Sequence, residues 1–107
     1  TYIEDIVEGV VNVLDSPPVA GSELAPYKIY NIGNNSPIEL LDYVATLERH
    51  IGKKAVTKLA PLQPGDVVTT YADVDALGQE IGYRPSTTIE QGVAKFIEWY
   101  RDYYNYK

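Results

Sequence analysis

Leu40, Val44, Leu47 and Ile51 recur at the spacing that sets them on one side of an α-helix, and Gly52 follows as a stop. Ahead of them Ser36 is placed as an N-cap, Pro37 at the first helical position and Glu39 three residues after Ser36, completing a capping box. This segment constrains the fold more than any other, because an amphipathic helix so bounded needs an apolar partner elsewhere in the chain. With 107 residues, 45% of them hydrophobic and 22% charged, there is room for one ordinary globular domain with a modest core.

The remaining segments suggest the partners. From Ile3 to Asp15, residues Ile6, Val7, Val10, Val11, Val13 and Leu14 cover most of a helix circumference, so a helix here is buried on more than one side or covered by further chain. Its many β-branched residues leave a strand as the alternative. Ser16-Pro17-Pro18 ends it, and a surface loop runs to Pro26. Tyr27 to Ile32 alternates, is β-rich and runs into Gly33-Asn34-Asn35, which predicts a strand and turn. Ala55 to Leu59 and Val67 to Tyr71 read as two more strands. Asp73 caps a short helix through Val74, Leu77 and Ile81, closed by Gly82. After the Arg84-Pro85 linker, Thr87 and Glu90 form a capping box for a last helix with Ile89, Val93, Phe96, Ile97, Tyr100 and Tyr104 on one face. The expected architecture is α+β, with about four helices and three or four short strands.

Charge and residue usage narrow the function. A net charge of -6 without a basic stripe argues against nucleic acid and anionic membrane as partners. Zero cysteines exclude disulfides and thiolate metal sites, in keeping with a cytoplasmic location. No apolar run approaches the roughly 18 residues of a membrane span, and no signal-peptide pattern opens the sequence. The absence of methionine, and the apolar start at Thr1-Tyr2-Ile3, lead us to expect a piece of a longer protein.

Between the second and third expected strands lies Pro61-Leu62-Gln63-Pro64-Gly65-Asp66-Val67. Pro64 fixes φ and Gly65 permits φ > 0, so a type II turn holds Gln63 and Asp66 on either side of a bend. An amide and a carboxylate held in that way can bind sugar hydroxyls or a ribose, although a solvated turn has the same composition. Other motifs read as structure. Tyr103 and Lys107 have the Tyr-x-x-x-Lys spacing in which a lysine lowers a tyrosine pKa, but no nucleotide loop precedes them. Gly33-Asn34-Asn35-Ser36 has one glycine where a phosphate cradle needs several, and Asn34-Asn35-Ser36 is also a glycosylation sequon without a secretory context. His50 near a helix end meets the last carbonyls, and Glu4, Asp5 and Glu8 complement a helix N-terminus. Nothing in the sequence assembles a metal site. The tyrosines at 100, 103, 104 and 106 face core or a partner.

Four ordered motifs together resemble a known family. They are Thr1-Tyr2-Ile3-Glu4-Asp5-Ile6-Val7-Glu8-Gly9, then Tyr30-Asn31-Ile32-Gly33-Asn34, then Gln63-Pro64-Gly65-Asp66-Val67 with Thr70-Tyr71-Ala72-Asp73. The last is Gly82-Tyr83-Arg84-Pro85 with Gly92 and Trp99-Tyr100. Over nearly its whole length the chain resembles the C-terminal part of the nucleotide-sugar epimerases of the extended short-chain dehydrogenase/reductase family, with the UDP-glucuronate 4-epimerase branch the most similar. The resemblance implies a Rossmann-type NAD domain in the parent protein and a smaller C-terminal substrate domain, of which residues 1–107 are a single substrate-binding piece. Residues 1–33 would form the edge of the absent Rossmann domain.

By the same resemblance the central loop holds the UDP part of a UDP-sugar. Asp66 matches the acidic residue that bonds the uridine ribose, and Gln63 stands where many relatives have an arginine near the phosphates. Glutamine cannot neutralise phosphate, and it favours the glucuronate branch over the galactose branch. Thr70 lies where galactose epimerases place a substrate-facing tyrosine. The dinucleotide loop and the catalytic Ser/Thr and Tyr-x-x-x-Lys of such enzymes precede residues of this kind. The expectation is therefore no catalytic residue, no bound NAD and no turnover in these 107 residues, with NAD in the parent. The absent domain would leave apolar surface exposed, which predicts self-association. Two other readings stay open: a stand-alone protein-interaction module, and the same portion of a related dehydratase or decarboxylase.

Overall fold

The structure, a computed structural model, describes residues 1–19 and 26–106. Four α-helices follow one another: α1 (Ile3–Leu14), α2 (Leu40–Ile51), α3 (Asp75–Ile81) and α4 (Ile89–Tyr103). Among the described residues there is no strand, so the expected α+β class is corrected to all-α. The chain divides into two compact units, one of residues 1–36 and 71–86, the other of 37–70 and 87–107. Part of the loop expected before Pro26, and Lys107 of the Tyr103/Lys107 pair, lie outside the described residues.

The three expected strands fail for one physical reason. Alternation specifies which side chains share a face, but a strand exists only where another backbone accepts its hydrogen bonds. Tyr27 to Ile32 does alternate in space: Tyr30 and Ile32 turn toward the core and Ile29 and Asn31 toward solvent. It nevertheless has no ladder partner among the described residues. The stretches at 55–59 and 67–71 lack even a covered face, since Val56, Leu59, Val67, Val68 and Tyr71 are all exposed.

In the first unit, Val74, Leu77 and Tyr83 form the core, with Val13, Tyr30, Ile32, Ala72 and Ile81 packed around them. α1 comes close to this core through Gly9, where a Cβ would collide with Ile32 Cδ1 and stand 2.8 Å from the Tyr83 ring. The opposite side of α1 leaves Ile3, Val7, Val10, Val11 and Leu14 exposed, so the expected burial on more than one side is not found among the described residues. The start of α3 is corrected by one residue: Val74 is the N-cap, without a side-chain cap, and Asp73 stands just ahead of it in an Asx-type turn, its Oδ1 accepting the Asp75 N–H at 3.1 Å. Gly82 closes α3 as expected, in the left-handed region at φ 77°.

In the second unit α2 packs on α4, and the buried residues are Thr46, Val93 and Ile97. Val44 and Leu47 are half-buried as their spacing predicts, while Leu40 and Ile51 at the ends of the stripe are exposed. α2 stops at Gly52 with φ 79°, but its start is corrected. The Ser36 N–H is taken by Asn34 Oδ1 at 2.8 Å, and the helix begins three residues beyond Pro37 with Glu39 as N-cap. The start of α4 moves by one residue. Thr88 Oγ1 accepts the Gln91 N–H and Gln91 Oε1 accepts the Thr88 N–H, so the capping box is Thr88/Gln91 instead of Thr87/Glu90.

Helix propensity favours Gly9→Ala by about 1 kcal/mol, yet overfilling a packed site costs about 1–3 kcal/mol. With both Ile32 and Tyr83 in the way, we expect Gly9→Ala to lower the melting temperature, read by circular dichroism. An unchanged or raised midpoint would show that the ring can move aside.

Candidate functional site

The Pro61–Val67 loop adopts the turn its residues imply. The Asp66 N–H donates to the Gln63 carbonyl at 3.1 Å, and Gly65 takes φ 94° at the third position after Pro64, which is type II geometry. A Cβ on Gly65 would meet nothing within 4 Å, so glycine is required here by backbone conformation alone. Gln63 and Asp66 thus stand at the two ends of one rigid bend, both exposed. Thr70 lies outside the turn, four residues beyond Asp66 on an exposed run. Every residue from 51 to 71 is exposed, so the loop is carried on an arm open to solvent along its length.

The arm is fastened at its base by charge. Glu48, in the last turn of α2, accepts the Lys54 ammonium at 2.6 Å on one oxygen and the Ala55 N–H at 2.8 Å on the other. The lysine first, and the Ala55 amide second, hold the Glu48 carboxyl below its usual range. Glu90 on α4 is gripped from α2 by Arg49 at 2.5 Å and His50 at 2.9 Å, and chiefly the Arg49 hydrogen bond lowers its pKa. Arg49 also donates to Thr46 Oγ1, which itself donates to the Asp42 carbonyl one turn back, so the buried threonine is satisfied. Arg101 of α4 closes the set with a 2.8 Å hydrogen bond to the Ile51 carbonyl at the end of α2. None of these pairs was foreseen. His50 and the helix-end position were read from the sequence, but the carboxylate it meets lies forty residues away.

The other sequence motifs are absorbed by the first unit. The Gly33 carbonyl accepts the Tyr83 hydroxyl at 3.1 Å, the Asn34 N–H donates to Thr1 Oγ1 at 2.8 Å, and a Cβ on Gly33 would stand 2.9 Å from Ala72 Cβ. This turn is closed by its own chain and holds no open phosphate cradle. Burial first, then Asp5 and Glu8, raises the Tyr83 pKa. Asp5 is buried and accepts the Ser86 N–H, while Glu80 collects Lys28 and the Tyr30 hydroxyl and has its pKa lowered, most by Lys28. A shallow concavity of about 400 Å³ is lined by Asn35, Asp75, Gln79 and Arg84 beside the buried Val74 and Tyr83. Among the described residues no three His, Cys, Asp or Glu side chains converge as metal ligands, and no helix is long and apolar enough to cross a membrane.

Comparison with known proteins gives this geometry a context. No family model matches the chain. Protein CapI of Staphylococcus aureus is 46% identical over 97% of this chain and 34% of its own length. UDP-glucuronate 4-epimerase 1 of Arabidopsis thaliana is 39% identical over 99% of this chain and 26% of its own length. A crystal structure of a mutant UDP-glucuronic acid 4-epimerase from Bacillus cereus, in complex with UDP-4-deoxy-4-fluoro-glucuronic acid and NAD, superimposes with a TM-score of 0.80. It is 25% identical and covers 97% of this chain and 32% of that one. The chain spans about a quarter to a third of the length of these proteins, and what it matches is the C-terminal part of UDP-glucuronate 4-epimerase-like proteins.

Depressed carboxylate pKa values at Glu48, Glu80 and Glu90 set the sign of the acid response. Their contribution to stability is complete above the ordinary value of 4.5 and is lost as pH falls through the lower folded-state values. Urea midpoints followed by circular dichroism should therefore fall as pH drops below 4.5, and the combined Glu48→Gln, Glu80→Gln and Glu90→Gln substitutions should flatten that fall. An identical acid slope in the substituted chain would assign the response to other groups.

Proposed function

We propose that this chain is the nucleotide-sugar-binding, C-terminal portion of an NAD-dependent UDP-sugar 4-epimerase, with UDP-glucuronate as the parent's substrate. The observation that carries the reading is the rigid Gln63–Asp66 turn, open to solvent, in a chain that matches UDP-glucuronate 4-epimerase-like proteins. Asp66 accepts the ribose hydroxyls of the uridine. Gln63 donates its amide N–H to a phosphate oxygen, a neutral contact where an arginine would supply charge. Thr70 faces the sugar.

The residues present do not fit NAD. A dinucleotide needs a glycine-rich turn with free amides at a helix N-terminus, and among the described residues the one comparable turn, at Gly33 and Asn34, is filled by Tyr83, Thr1 and Ala72. Hydride chemistry therefore belongs to the rest of the parent, and the chain by itself binds without turning over. The exposed stripe of α1, Ile3, Val7, Val10, Val11 and Leu14, is the surface that the parent's N-terminal Rossmann domain covers, with residues 1–33 at its edge. A cysteine-free enzyme portion of this kind belongs in the cytoplasm.

The test is an NMR chemical-shift titration of the isolated chain with UDP, UDP-glucuronate and UDP-galactose. We expect shifts confined to Gln63, Asp66, Thr70 and their neighbours at millimolar ligand, strongest with UDP-glucuronate. Asp66→Ala, which removes a charge-assisted hydrogen bond worth about 1.5–3 kcal/mol, should weaken the response roughly 10- to 100-fold. Perturbations centred elsewhere, or an Asp66→Ala titration identical to the unsubstituted one, would count against the site. Epimerisation by the isolated chain would overturn the division of labour.

A further inference from the structure

Two consecutive lysines at the start of the arm are drawn to different elements. Lys53 lies 5.7 Å from the centroid of the Tyr106 ring, just beyond α4, while Lys54 gives its ammonium to Glu48 of α2 at 2.6 Å. Their neighbours are held as well. Arg101 bonds the Ile51 carbonyl at 2.8 Å, and the second oxygen of Glu48 accepts the Ala55 N–H at 2.8 Å. Tyr106 is itself fixed by its N–H, which donates to the Arg101 carbonyl at 2.9 Å. After Ala55 these attachments stop. Among the described residues no hydrogen bond or ion pair ties the stretch from Val56 to Leu62 to either helix, and Val56, Leu59 and Leu62 are exposed. The next fixed point is the 63–66 turn, closed on itself by the Asp66 N–H.

A stretch without further attachment takes its direction from the last point at which it is held. Here that point is the Ala55 amide, and the group that holds it is Glu48. The Glu48 side chain is 15% exposed, against 88% for Lys54. An exposed ammonium trades a carboxylate for water at little cost, whereas a backbone N–H on a charged and largely covered acceptor makes the stronger bond. The amide, more than the lysine, therefore fixes the backbone. Nearer the tip, Pro61 and Pro64 lock their own φ and confine Ala60 and Gln63 before them to extended backbone, so a direction set at Ala55 is carried toward the turn with few rotations to blur it.

We propose that Glu48 is a positioning residue for nucleotide-sugar binding: by fixing Ala55 it sets the direction in which the arm leaves α2, and so presents the Gln63–Asp66 turn to the ligand. Glu48 touches no ligand itself. The inference rests on the reading of that turn as the binding site, and its experiment separates the two. Without ligand, NMR order parameters of the backbone amides from Ala55 to Asp66 should fall in Glu48→Ala while those of α2 and α4 hold. In titrations with UDP-glucuronate the same substitution should weaken binding about 3- to 10-fold, the cost of reordering a loosened segment. Glu48→Gln, whose amide oxygen still accepts the Ala55 N–H, should restore most of both, and Lys54→Ala should alter affinity by no more than about twofold. A glutamate that only stabilised α2 would lower the melting temperature and move neither readout. Unchanged order parameters in Glu48→Ala, unchanged affinity beside a clear response of the unsubstituted chain, or an equal loss in Lys54→Ala would each overturn the proposal. If UDP-glucuronate shifts nothing in the unsubstituted chain, the 63–66 site fails, and the order parameters still decide whether Glu48 directs the arm.

Discussion

Tyr83 is the residue on which the first unit depends. Its ring is 2% exposed and pressed against Gly9 of α1, and its hydroxyl donates to the Gly33 carbonyl. One side chain therefore joins three separate stretches of chain: the start, the 27–36 segment and the end of α3. A phenol buried without a partner would cost about 1–3 kcal/mol, and here the turn at Gly33 supplies the acceptor. The same contact occupies the glycine turn that otherwise looks like a ligand loop. A motif that resembles a phosphate cradle in sequence is thus spent on internal packing.

The helices were legible because their information is local. Capping residues, apolar spacing and the glycines at 52 and 82 lie within a few residues of the ends they set, and all four helices stand close to where those signals place them, with starts shifted by none to three residues. The strands were not legible, since Tyr27–Ile32, 55–59 and 67–71 carry the pattern of a sheet without the second backbone that makes one. The 63–66 bend could be read in full, because Pro-Gly encodes its own geometry. The ion pairs around Glu48 and Glu90 could not, because only the docking of α2 on α4 brings Arg49 and His50 to Glu90. Gln63 and Asp66 share that bend, whereas Thr70 stands apart on the exposed run beyond it.

The second unit combines a firm base with an open arm. Thr46, Val93 and Ile97 are sealed between two helices, and Arg101 and Arg49 lace the seam from both directions. Beyond Gly52, the Glu48 carboxylate fixes the first residues of the arm, after which the backbone has little but the single bend at Pro64-Gly65 to order it. Such a segment meets a ligand with its turn already formed, so the entropy of shaping the turn has been spent before binding. The rest of the arm is exposed along its length.

The start of α4 contains a choice between two frames. Thr87-Thr88 and Glu90-Gln91 lie side by side, so the sequence writes two overlapping capping boxes one residue apart. Local chemistry hardly distinguishes them. Using Glu90 as the capping acceptor would take it from Arg49 and His50, while using Gln91 leaves that carboxylate free to cross to α2. Begun one residue earlier, α4 would gain a residue while Val93 and Ile97 kept the same face, so what separates the two starts is the use of the Glu90 carboxylate. The ion pair to α2 thus selects between two beginnings that the chain spells almost equally well.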